Sequence, residues 1–230
     1  MAPSNAVLRP HIVAGPSEPC ADCPLCPRLV SYREANRAQY PDWFNAPVPS
    51  FGPADAELLI VGLAPGLKGA NRTGRPFTGD FAGVLLYETL LKFGFARGSY
   101  GERVDDGLVL TGCRITNAVR CVPPENKPLP NEVAACRSFL NASLAGMQSL
   151  RAILALGRIS FDTTLRALGL KASQYKFAHG EAVDIGDGRK LFGSYHCSRY
   201  NTNTRRLTPA MFHRVFEEIA AHLGRAGCQS

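Results

Sequence analysis

Apolar positions along the chain fall into two periods. Leu58 to Leu63 reads LLIVGL, apolar on both faces, as a buried parallel strand should be. It ends in Ala64-Pro65-Gly66, where the chain must turn. A helix is expected from about Gly83 to Phe93, and a second strand around Leu108 to Thr111, continuing toward Val119. Pro130 suits the first turn of a helix carrying Val133, Cys136, Leu140 and Leu144 on one face. Ala152 to Leu156 reads as a strand, followed by a helix from about Ile159 to Leu168. Ala182 to Ile185 and Lys190 to Tyr195 form a hairpin pattern around Gly186-Asp187-Gly188. Thr208-Pro209, an N-cap followed by proline, opens a last helix with Phe212, Val215, Phe216, Ile219 and Leu223 on its apolar face.

Strands alternating with helices predict an α/β fold, with a mainly parallel sheet covered on both sides. Ligands of such folds bind beyond the carboxyl ends of the strands. Two polar loops lie at such ends, after Leu63 and after Tyr195. The length of 230 residues favours a single domain over 1–230, with 1–19 as a flexible arm. The arm lacks an apolar stretch with a cleavage site, and no apolar run elsewhere is long enough to span a membrane. A net charge of +7 raises the odds of a polyanionic partner without naming one.

Eight cysteines in a chain with no secretory signal favour a metal or cluster site over disulfides. Cys23 and Cys26 form a CxxC pair, and Cys121 and Cys136 follow far downstream. Spacing alone leaves zinc and an iron–sulfur cluster equally open. Cys20 makes the choice of ligands ambiguous, Cys113 reads as core, and Cys197 and Cys228 have no evident partner.

The first polar loop contains Phe77 and Asp80, three residues apart. Taken alone, Asp80 is equally a helix cap before Phe81. The second loop, Tyr195 to Thr208, mixes donors, an aromatic and three arginines. Its bland reading is a structural histidine and a solvated charge run.

Together, GLAPG at 62–66, GANRTGRPFTGD at 69–80, ITNAVRC at 115–121, PPENKP at 123–128, ALGR at 155–158 and SYHCSRYNTNTRRLT at 194–208 resemble the uracil-DNA glycosylase superfamily. They are most like its iron–sulfur members of family 5, the UDGb type, and CPLCPRLVSYRE at 23–34 fits too. The resemblance spans roughly residues 20 to 223. It implies a three-layer α/β/α sandwich and a structural [4Fe–4S] cluster on Cys23, Cys26, Cys121 and Cys136, with Cys20 outside. It implies a monofunctional, monomeric, cytoplasmic and nucleoid-associated enzyme that releases uracil, and other deaminated bases such as hypoxanthine, from DNA.

In that frame Asp80, His196 and Asn126 are the catalytic residues. Gly62, Ala64, Phe77 and Asn117 hold the flipped base, and Arg199, Tyr200, Asn201, Arg205 and Arg206 contact DNA. Two departures stand out. Leu63-Ala64 carries no polar side chain where many members of the superfamily have one, which moves the catalytic load to Asp80. Asn117 stands where some UDGb-type proteins have a small apolar residue. A non-catalytic or crosslinking uracil-DNA binding protein is the rival within the fold, and a zinc-dependent nucleic-acid module the rival outside it.

Overall fold

In the computed structural model, which describes residues 17–225, the apolar pentads at 58–62 and 152–156 become the middle of a five-stranded sheet. The described elements run α1 (Pro27–Gln39), β1 (Leu58–Gly62), α2 (Ala70–Thr73), α3 (Phe81–Lys92), β2 (Ala96–Arg97), β3 (Val109–Leu110), β4 (Cys113–Asn117), α4 (Pro130–Gly146), β5 (Ala152–Leu156), α5 (Arg158–Ala167), β6 (Ala182–Asp184), β7 (Lys190–Ser194), α6 (Arg199–Asn203) and α7 (Pro209–Leu223). The sheet order is β4-β1-β5-β7-β6. All neighbours are parallel except the β6–β7 hairpin.

Alternation within each strand divides the core in two. Leu58, Ile60, Leu154 and Phe192 point to one side and pack with Leu86 and Leu90 of α3 and Phe212, Phe216 and Ile219 of α7. Leu59, Val61, Ile153 and Leu191 point to the other and pack with Leu140 and Leu144 of α4 and Phe161 and Leu165 of α5. The result is the expected three-layer α/β/α sandwich. Pro130 and Pro209 open α4 and α7, and the Thr208 hydroxyl accepts the Met211 amide at 3.2 Å as the N-cap of α7.

One expectation needs correction. The strand expected from Leu108 toward Val119 is two strands in two sheets. Val109–Leu110 pairs antiparallel with Ala96–Arg97, and only Cys113–Asn117 joins the main sheet, beside β1. The Thr111 amide bonds to the Phe95 carbonyl, so the chain turns between them. Within the stretch expected as an arm, Ser17 and Glu18 bond to the rest of the fold. Glu18 pairs with Arg114 and with the buried Arg120, and the Ser17 carbonyl accepts from Arg120. The rest of the expected arm, residues 1–16, lies outside the described residues, as does Cys228. Among the described residues no helix is long and apolar enough to cross a membrane.

Candidate active site

One cavity of about 360 Å³ opens beyond the carboxyl ends of β1 and β4. Ala64, Phe77, Asp80, Asn117, Asn126 and His196 all line it, brought together from four separate stretches of sequence. Gly62 lies beneath. A Cβ there would collide with the Asn117 Oδ1 and lie 2.8 Å from the Phe77 ring, so only glycine lets both side chains converge. Gly69 does the same for Asp80, whose carboxylate occupies the space a Cβ would take.

Asp80 stands at the N-cap of α3 but makes no well-formed side-chain capping bond, although the Ala82 amide of the first turn lies near its carboxylate. Burial pushes that carboxyl up to about 6; the Ala82 amide opposes the shift and the Glu102 charge adds to it. Burial pushes His196 down to about 4, so its imidazole is neutral at physiological pH. The His196 Nδ1 is enclosed without a partner, and the ring lies 5.8 Å from Phe77, tilted by 29°. The Asn117 Oδ1 is likewise enclosed and unpartnered. A buried polar atom without a partner is costly, so both are poised for a ligand. Asn126 projects from a 3-10 turn at Pro124–Asn126, with a φ of 58°.

The second loop is more ordered than its sequence suggests. Arg199, Tyr200 and Asn201 lie on α6, whose N-cap Ser198 accepts the Asn201 amide. Tyr200 is 72% exposed at its surface. The Asn201 side chain turns inward and donates to the His196 carbonyl at 2.8 Å. The Arg199 guanidinium lies over Phe81, and that of Arg206 over Tyr195. Arg205 is exposed and has a φ of 56°. His179, unremarked in the sequence, stacks on Tyr195 at 4.9 Å and accepts its amide through Nδ1. Nothing in its spacing marked it. Arg75 and Tyr100 also brace the first loop; Arg75 lies inside the GRPFTGD stretch, but only its fold partners reveal its role.

Cys23, Cys26, Cys121 and Cys136 line a second cavity, walled by Leu25, Leu29, Val119 and Phe139. None is in a disulfide. The Arg120 amide donates to the Cys136 sulfur at 3.3 Å, and Arg33 reaches the Cys121 sulfur at 4.0 Å. Among the described residues no three His, Cys, Asp or Glu side chains are grouped so as to hold a metal ion. Cys20 is exposed; Cys113 and Cys197 are buried.

Comparison with known proteins adds a family. The pattern describing the uracil DNA glycosylase superfamily matches residues 49–220. A type-5 uracil-DNA glycosylase of Thermus thermophilus is 45% identical over 203 residues, covering 85% of this chain and 91% of its own. One from Pyrobaculum aerophilum is 39% identical over 207 residues, covering 88% and 90%. A type-4 uracil-DNA glycosylase of the latter organism is 36% identical over 154 residues, covering 66% and 64%.

Proposed function

Because this chain belongs to the uracil DNA glycosylase superfamily, we propose that it hydrolyses the N-glycosidic bond of uracil in DNA and leaves an abasic site. The observation that carries this reading is the single cavity in which a half-buried carboxylate, a neutral imidazole, an unpartnered amide and an aromatic face meet. Its volume is of the order a single base needs, and a base reaches it only by leaving the duplex stack.

The chemistry follows from those groups. Phe77 offers a face on which the flipped base stacks. The Asn117 amide has both a donor and an acceptor for the uracil edge. As the C1′–N1 bond breaks, its electron pair goes to the base and positive charge grows on the sugar. Ionised Asp80 stabilises that charge and takes a proton from the water that attacks C1′. Neutral His196 donates a hydrogen bond to the uracil oxygen that gains charge; a neutral donor stabilises the anion without protonating it. Asn126, on the rim, is a further candidate for holding the water or the base. Arg199, Tyr200, Arg205 and Arg206 would meet the DNA, whereas Asn201 would act through His196. The same reading makes the protein a monomer acting on nucleoid DNA in the cytoplasm.

The four-thiol cavity supports a [4Fe–4S] cluster on Cys23, Cys26, Cys121 and Cys136. Four cysteines face one cavity, two of them with N–H donors of the kind that hold cluster thiolates. Spacing alone leaves zinc open; the likeness to iron–sulfur members of the superfamily is what favours a cluster here. The cluster would tie α1 to β4 and α4, a structural role remote from the reacting atoms.

The deciding test is incubation with duplexes containing uracil, hypoxanthine or xanthine, followed by alkali cleavage. Strand breaks at uracil support the glycosylase; DNA binding without breaks would indicate the non-catalytic rival. We place hypoxanthine second to uracil, because Leu63-Ala64 adds no bulky polar group at the cavity wall.

A further inference from the structure

The turn that presents Phe77 and Asp80 is held by residues that touch neither the cavity nor each other in sequence. The Arg75 guanidinium donates to both carboxylate oxygens of Asp106, at 2.9 and 2.6 Å, and its Nε donates to the Thr78 hydroxyl at 2.7 Å. The two side chains are 6% and 4% exposed. The rings of Phe51, Tyr87 and Tyr100 surround the cation at 5.3, 5.4 and 5.8 Å. Asp106 also accepts the amides of Gly101 and Leu108, so the 101–108 loop and the 75–80 turn are one piece.

What this assembly holds is strained. Phe77 has a φ of 55°, where a non-glycine residue stays only if its surroundings force it. The carbonyls on either side of its strain are pinned: Tyr87 donates to the Pro76 carbonyl at 2.6 Å and Tyr100 to the Phe77 carbonyl at 3.0 Å. Both tyrosines stack on each other at 4.5 Å against the same guanidinium.

We infer that Asp106 is a positioning residue for base excision: through Arg75 it keeps the 75–80 turn in the strained form that delivers the Phe77 ring and the Asp80 carboxylate to the cavity. This rests on the glycosylase reading. Without the carboxylate, Arg75 is left buried and unpaired and must leave its aromatic cage. Phe77 then relaxes, and Asp80 follows because it ends the same turn.

The test uses the full chain with Asp106→Asn and Arg75→Lys. Three quantities are read well below each melting midpoint: single-turnover excision from a uracil duplex, its pH profile, and hydrogen exchange of the 75–81 amides. The expected result is at least a tenfold loss of rate, with affinity for a duplex carrying an abasic-site analogue within about threefold of wild type. The rising limb of the pH profile should move to lower pH, because Asp80, faced by Glu102, Tyr100 and Cys197, gains water. Exchange over 75–81 should quicken while that of β1 does not. A merely stabilising role would leave the rate of the folded variants, the limb and the exchange at wild-type values, and that result overturns the inference. If Asp106→Asn does not fold, Asp106→Glu, which keeps the charge but displaces it by one methylene, decides by the same readouts. If wild type releases no uracil, the glycosylase reading falls, and local exchange alone decides whether Asp106 holds the turn.

Discussion

Asp80 places a stability cost where the chemistry needs it. Its carboxyl is raised from 3.8 to about 6, so the fold prefers it protonated. The penalty for ionising it is absent below about pH 4, grows between 4 and 6, and is fully present above 6. At 1.36 kcal/mol per unit it reaches on the order of 3 kcal/mol. Asp80→Asn should therefore lose base release by two or more orders of magnitude and yet gain stability at pH 8, with the gain fading as pH falls toward 4. Urea denaturation at several pH values checks the second half. In the wild type the single-turnover rate should climb about tenfold per unit below pH 6 and level off above it. His196, already neutral above about 4, should add no inflection in that range. For Asn117→Ala we expect a loss on uracil of about 1–3 kcal/mol in transition-state stabilisation, and a smaller loss on hypoxanthine, whose larger surface stacks more on Phe77. Single-turnover rates on both bases measure the difference. Equal losses would mean that Asn117 sets the backbone rather than reading the base.

The elements separate what the sequence carries from what it hides. Sheet strands β1 and β5 are legible as short apolar runs buried on both faces, and helices α4 and α7 because their buried faces recur at a period of 3.6. Helix α1 escapes that reading because its buried residues are Leu29, Arg33 and Asn36; two of the three are polar, so no apolar stripe exists. The break between β3 and β4 is hidden for another reason: two short pieces lie only two residues apart, and only their pairing partners place them in different sheets. The candidate site was legible where a loop held several of its residues together, as with Phe77 and Asp80. The Arg75–Asp106 pair, 31 residues apart, leaves no pattern at any spacing. At the end of β1, Gly62→Ala should cost uracil release at least about a hundredfold while the chain still folds. The added methyl meets first the Asn117 amide and the Phe77 ring, both side chains that can shift. Circular dichroism together with single-turnover rates would show it, and a rate within threefold of wild type would mean that the two side chains do not need their present approach.

At the scale of the molecule, the proposed cluster and the cavity for the base sit in different places and answer to different tests. Cys136→Ser or Cys121→Ser should lower the ratio of iron to protein and the melting temperature together, because these thiols tie α4 and the β4 end to α1. Cys20→Ser should keep its iron, since that side chain is exposed and outside the thiol-lined cavity. Iron analysis and visible absorbance check both; an unchanged iron ratio in either of the first two variants would exclude that thiol as a ligand.

The positions of those four thiols also set a schedule. All of them precede Leu140, whereas β5, β7 and His196 come later. During synthesis, every residue that lines the thiol cavity, from Pro19 to Phe139, leaves the ribosome before β5, β7 and His196. The histidine that completes the cavity for the base is made last. The ligands of the proposed cluster are thus all made before the histidine without which no base is cut from DNA, an order written in the direction of translation.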